Sequence, residues 1–143
     1  MSEVLFSCKI QVPKHGIKKN SKEIRMNFKT KQRFIGSNNR VLNTQKYLLT
    51  KLQIEKLKKR LDCISCDINI AMIFYFPKTV FYTKKNDRSK LIADLSNLYQ
   101  LVEDCLQKIK IIENDSLICS HDGSARKPID DNNHWLEIII SKI

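Results

Sequence analysis

Asp67-Ile-Asn-Ile-Ala-Met-Ile-Phe-Tyr-Phe76 decides the fold. One charge stands in ten residues, and Pro77 closes the run. Such a stretch is too short for a bilayer span, which takes ~20 apolar residues. It is also too apolar for a strand with one wet face, so it predicts a central strand.

The flanks supply the rest of the sheet. Val4–Val12 alternates loosely up to Pro13 and predicts a first strand. Ile24, Met26 and Phe28 alternate with Glu23, Arg25, Asn27 and Lys29, the period of a half-buried strand. Phe34-Ile35 is its expected hairpin partner across Lys29–Gln32, with Gly36-Ser-Asn-Asn as a turn. Asn43 or Thr44 is the expected N-cap of a helix to about Leu61. Its expected buried face is Tyr47, Ile54, Leu57 and Leu61, with Leu48 and Leu52 alongside. A second helix over 95–109 buries Leu98, Leu101, Val102, Cys105 and Ile109. Ser116–Cys119 and Trp135–Ser141 predict the last strands, with His121-Asp-Gly-Ser a turn between them. The expected fold class is α+β: one small domain over 1–143, a mixed β-sheet packed against two main helices. A chain of 143 residues with 42% hydrophobic content suits that size.

Charge points to partners. Residues 1–60 hold 16 basic and 3 acidic residues, whereas 61–143 hold 10 and 12, for a net +11. A basic half beside a slightly acidic half suits a polyanion-binding surface joined to carboxylate chemistry. An AT-rich coding sequence would also enrich Lys, Ile and Asn. The start, Met1-Ser-Glu-Val, lacks the pattern of a secretory signal. The expected location is cytoplasmic, with no membrane partner. Five cysteines, an odd count, argue against a disulfide framework. Cys63-Ile-Ser-Cys66 has zinc-ligand spacing, but no second CxxC or HxxxH pair follows, and Cys119 with His121 is the candidate completion. Free thiols at apolar positions are the expectation.

Two basic stretches carry candidate phosphate contacts, 14–33 with Lys18 and Lys19, and 78–90 with Lys84, Lys85, Arg88 and Lys90. Phe81 and Tyr82 interleave the second, a composition that can track a backbone and stack on unpaired bases. A strand extension through Val80–Tyr82 followed by a lysine-rich loop fits the same residues. The candidate chemistry lies in Asp94-Leu-Ser-Asn97, a helix, then Glu113-Asn-Asp115. Asp94 opens the helix, and Asn97 follows three residues on. If Asp94 and Asp115 converge, two carboxylates and an amide carbonyl make an oxygen-rich site suited to Mg²⁺.

Asp94-Leu-Ser-Asn-Leu98, Glu103-Asp104-Cys-Leu106 and Ile112-Glu-Asn-Asp-Ser-Leu-Ile118 together resemble the RusA family of Holliday junction resolvases. That family carries Asp-x-Asp-Asn at a helix start, Asp-x-Leu later on the same helix, and an acidic pair before a hydrophobic strand. The agreement covers about residues 90–120, and the order of elements fits elsewhere. The resemblance implies an intertwined homodimer that uses Mg²⁺ to cut symmetric strands of a four-way junction. It implies that Asp94 and Asp115 bind the metal, with Asn97 beside them, and that Asp104 is structural. Three positions depart: Ser96 replaces the second aspartate, Asn114 the first acid of the pair, and Gln100 a helix lysine. The Asp-x-Ser-Asn form resembles a phage-type, prophage-borne branch. Ser96 is retained in the expected catalytic set, and Glu113 is expected to compensate by sharing a strand face with Asp115. His121 and Asp122 are further candidates.

The expected function is a Mg²⁺-dependent endodeoxyribonuclease that resolves branched DNA in recombination and repair. The alternative is a weakened or inactive module that recognises branched DNA without cutting it. A basic single-strand binder without junction preference leaves the acidic spacing unexplained.

Overall fold

Burial of Ile68–Pro77 on both sheet edges organises the chain. The structure, a computed structural model, describes residues 3–13, 22–26, 33–37, 39–89 and 95–143. In chain order the strands and helices are β1 Val4–Val12, β2 Lys22–Met26, β3 Arg33–Ser37, α1 Asn39–Lys58, β4 Ile68–Pro77, α2 Lys78–Phe81, α3 Leu95–Lys108, β5 Ile118–Ser120, β6 Ala125–Ile129 and β7 His134–Lys142. A 3₁₀ turn, Asp115–Leu117, precedes β5. β4 pairs antiparallel with β7 along one edge, and β7 pairs antiparallel with β1. Along its other edge β4 pairs parallel with β5 at its start and with β6 at its end. The result is one α+β domain with a mixed five-stranded sheet. β2 and β3 form a separate antiparallel hairpin in which Ile24 faces Ile35, the pairing expected from the sequence.

Alternation selects the buried face. Phe6, Cys8, Ile10 and Val12 of β1, Ile70, Met72 and Phe74 of β4, and Leu136, Ile138 and Ile140 of β7 are buried together. Leu98, Leu101, Val102 and Cys105 of α3 close over them, as the helical spacing predicts; Leu106 joins them, whereas Ile109 is only partly buried. α1 adds Leu48 and Leu52, both fully buried. At the far end Lys56 Nζ donates to the Ile109 carbonyl at 2.9 Å, tying α1 to the C-terminus of α3.

Several expectations need correction. α1 starts at Asn39, before the expected cap, and buries the Leu48–Leu52 stripe. Ile54 and Leu57 are 42% and 67% exposed. The helix carries two apolar stripes, and periodicity alone does not say which one meets the sheet. Residues 78–81 form a helical turn, not a strand extension. Beyond it lies an ordered hairpin: Thr83 N–H donates to the Asp87 carbonyl and Ser89 N–H to the Phe81 carbonyl, each at 2.7 Å. Asn86 sits at φ 61°, a conformation Asn tolerates. β6 was not foreseen, because Arg126-Lys-Pro128 reads as a loop. As an edge strand it accommodates Pro128. Cys8 and Cys105 fill core positions, but Cys63 and Cys119 are exposed. Burial, then the nearby Glu55 carboxylate, pushes the Cys8 thiol up to about 12. Among the described residues no helix is long and apolar enough to cross a membrane.

The α1 assignment is directly testable. Leu52→Ala should cost about 2–5 kcal/mol by cavity formation, whereas Leu57→Ala should stay within about 0.5 kcal/mol. Urea unfolding of both variants followed by circular dichroism distinguishes them. Equal losses would restore the Ile54–Leu57 face.

Candidate functional site

α3 begins at Leu95, one peptide bond after Asp94, so the candidate metal-binding sequence sits at a helix start as expected. Asp94 and Lys90 lie outside the described residues, as do Lys18 and Lys19. Ser96 and Asn97 occupy the first turn of α3, and their side chains also lie outside the described set.

The chain then reverses. Lys110 takes φ 61°, and the amides of Ile111 and Ile112 both donate to the Leu106 carbonyl at 3.0 and 3.3 Å. Ile112 bridges Ile64, and the Glu113 amide donates to the Ile64 carbonyl at 2.9 Å. The return runs back along α3. The Asp115 amide donates to Gln107 Oε1 at 3.0 Å, near the helix C-terminus. Gln107 is twelve residues past Leu95, a rise of about 18 Å along the axis. Within one chain, Asp115 therefore sits at the opposite end of α3 from the residue that follows Asp94.

Glu113 and Asp115 do not share a strand face, because Asp115 opens the 3₁₀ turn. Both are exposed. Asn114 has a clear role: its Oδ1 accepts from the Ser116 amide at 2.8 Å and caps that turn. Asn and Asp cap equally well, so the loss of an acid here leaves the local structure intact. That oxygen is already engaged. The Asp115 carboxylate, by contrast, has no hydrogen bond or ion pair among the described residues. A free, exposed carboxylate is a hard oxygen donor of the kind Mg²⁺ takes, so the residue fits the expected metal. Among the described residues no three His, Cys, Asp or Glu side chains gather into a cation site.

Further along the return, His121 Nε2 meets Glu103 Oε1 on α3, and its ring stacks on Tyr99 with centroids 4.3 Å apart and planes 3° apart. Tyr99 and Glu103 are four residues apart and so share one helix face. Tyr99 also approaches Phe74, at 6.4 Å. The turn that carries His121 is fastened to β4. Asn69 Oδ1 accepts from the Ser120 hydroxyl at 2.6 Å and the Asp122 amide at 2.8 Å, while its Nδ2 donates to the Asp122 carbonyl at 3.0 Å. The Met72 amide donates to Ser124 Oγ at 3.0 Å, where β5 hands over to β6. Gly123 takes φ 91°, and a Cβ there would lie 3.3 Å from the Ala71 methyl. The sequence named His121 but missed its partners; the Tyr99/Glu103 spacing is the signal that could have found them.

The second basic stretch shares an end of the sheet with the start of α3, where Tyr99 approaches Phe74. β1 stops at Val12, opposite His134, and Trp135 pairs with Tyr75 two residues before β4 ends. Pro13 and Lys78 thus follow β1 and β4 at the same end of the sheet, with β7 between the two strands. Lys84, Lys85 and Arg88 are all exposed on the second hairpin. Lys78, Thr79, Tyr82, Thr83, Lys84 and Asn86 line a concavity of about 680 Å³ there. Phe81 is buried against Phe76, at 6.2 Å, so it cannot stack on a base. Tyr82 is exposed and remains available.

Comparison with known proteins finds no family model that matches the sequence and no curated protein that it matches. The local geometry at Asn114 makes its own test. Asn114→Ala should cost about 1 kcal/mol through the lost cap bond, and Asn114→Asp should fall within about 0.5 kcal/mol of the parent in urea unfolding.

Proposed function

We propose that the chain is a Mg²⁺-dependent, structure-selective endodeoxyribonuclease of the RusA type, acting as a homodimer on four-way junctions and related branched DNA. One observation carries this reading. The start of α3 and the exposed basic hairpin occupy one end of the sheet, while the Asp115 carboxylate, without a partner among the described residues, occupies the other end of α3. Within one chain the Asp115 carboxylate and the basic hairpin are thus held apart, and a second copy is needed to bring acid and cation to one phosphate backbone. Asp115 lies about 18 Å along the axis of α3 from Leu95, too far to share a metal with a group at the start of that helix. A two-fold partner that brings its Asp115 to the Asp94 end of the first chain would resolve this, and the reverse contact would follow by symmetry.

In this arrangement Asp94 of one copy and Asp115 of the other would hold Mg²⁺. Bound there, Mg²⁺ supplies charge neutralisation and water activation for phosphodiester hydrolysis. Lys84, Lys85 and Arg88 hold flanking phosphates, and junction shape, rather than base edges, sets selectivity. The branched-DNA module without cleavage is the second reading, favoured by the neutral Ser96 and Asn114 where the resemblance has acids.

Asp94→Asn and Asp115→Asn should each abolish nicking of a labelled four-way junction while retaining band retardation. Mixing the two inactive variants supplies the decisive experiment. In a mixed dimer one shared site carries both substitutions and the other carries neither, so single-strand nicking should return. Continued inactivity of the mixture, with subunit exchange verified, would overturn the shared site. Retardation without nicking by the parent protein, at any Mg²⁺ concentration, would leave the module.

Ser96 generates a second test. A full charge about 4 Å from a cation is worth roughly 4 kcal/mol per unit charge at an effective dielectric of ~20, before desolvation. Ser96→Asp should therefore lower the Mg²⁺ concentration at half-maximal cleavage. A midpoint that stays or rises, with an unchanged circular dichroism spectrum, would mean that another group already fills the position.

A further inference from the structure

The face of the sheet turned away from α1 and α3 carries a pattern of its own. Gln11, Trp135, Tyr75 and Lys127 stand in register across four strands, and Lys9, Glu137, Ile73 and Ala125 form the next row. Residues directly opposite on paired strands share a face. Lys9, Gln11 and Lys127 are exposed, while Trp135 and Tyr75 are half-buried. The polar edges of both rings are engaged: Trp135 Nε1 donates to Asp131 Oδ2 at 3.2 Å, and the Tyr75 hydroxyl donates to Glu137 Oε1 at 2.8 Å. Burial and that bond to Glu137 raise the Tyr75 pKa, which keeps the hydroxyl a donor. Lys9 Nζ reaches over the rings, 4.7 Å from the Tyr75 centroid and 6.0 Å from that of Trp135.

We propose that this face binds a short unpaired stretch of DNA, with bases stacked on Trp135 and Tyr75 and the flanking phosphates held by Lys9 and Lys127. The two lysines stand on strands three spacings apart, about 14 Å, with both rings between them. Open sheet faces with paired aromatics stack two or three bases in this manner, and stacking tolerates any sequence. A base entering over Tyr75 displaces the Lys9 ammonium toward its own phosphate. Duplex DNA is excluded, because its bases are already stacked and their faces are closed.

The arrangement of charge fits a strand whose phosphates flank its bases. Glu137 and Asp131 keep their charge but meet the rings at their polar edges, the Tyr75 hydroxyl and Trp135 Nε1, and Asp130 pairs with Lys78 at 2.9 Å, so the exposed cations Lys9 and Lys127 stand at either end of the ring pair. The choice of DNA rests on the branched-DNA reading. The binding itself does not need the cleavage chemistry.

Trp135 is the only tryptophan in the chain, so its emission reports this face alone. The full chain is titrated with a twelve-residue oligo-dT without Mg²⁺, following Trp135 emission and the anisotropy of a labelled oligonucleotide. Saturable quenching that tracks the anisotropy is expected. The exposed double variant Lys9→Glu, Lys127→Glu should keep its circular dichroism spectrum and bind at least tenfold more weakly. Its slope of log K against log salt should fall by about 1.4, two single-strand contacts at ~0.7 each. Binding by anisotropy with Trp135 emission unmoved would overturn the proposal, as would no binding. Emission that changes with protein concentration alone would also overturn it, in favour of a second copy. Because the assay contains no Mg²⁺ and reads no nick, its failure is distinct from failure of the nuclease reading.

Discussion

β4 must be paired along both edges, and most of the architecture follows from that constraint. Its apolar residues leave it no solvated edge, since an unpaired buried amide costs free energy comparable to a lost hydrogen bond. β7 covers one edge antiparallel. The other edge takes parallel partners, and a parallel partner requires a crossover. That crossover contains α3, so the helix, the reversal at Lys110 and the return through Asp115 and His121 are consequences of how β4 is satisfied. Even the gap between β5 and β6 is closed, because the Met72 amide finds Ser124 Oγ where strand pairing lapses.

The sequence made this frame legible where one pattern excluded others. β1 falls on Val4–Val12 because alternation and Pro13 agree. α3 is read correctly because its single apolar stripe leaves one face to bury. α1 is misread because Leu48–Leu52 and Ile54–Leu57 are competing stripes, and only contact with the sheet decides between them. β6 escapes notice for a different reason. A strand paired on one side needs no apolar run, and Arg126-Lys-Pro128 is acceptable at an edge.

The candidate site was legible as a set of residues and not as a geometry. Spacing marked Asp94 and Asp115, but their relation depends on how far the chain travels before it turns. The Lys110 reversal places the turn at the end of α3, so the helix length separates Asp115 from Leu95, the residue after Asp94. Glu113 was assigned by strand periodicity, and a three-residue 3₁₀ turn removed the periodicity. Asn114 shows the opposite case: a departure that looks chemical on paper is satisfied by a structural cap.

Under the proposed reading, α3 acts as a ruler. A helix of 14 residues separates its ends by about 20 Å, too far for one metal to bridge, so the chemistry becomes conditional on assembly. This condition suits an enzyme whose substrate is itself two-fold symmetric. A lone chain would hold one acid at each end of α3 and cut nothing, whereas a dimer gains both sites in the same event. Unpaired nicks in ordinary DNA are thereby disfavoured by geometry before any recognition of the junction. The neutral Ser96 sharpens the condition, because a site with fewer carboxylates depends more on the partner's Asp115 to retain Mg²⁺.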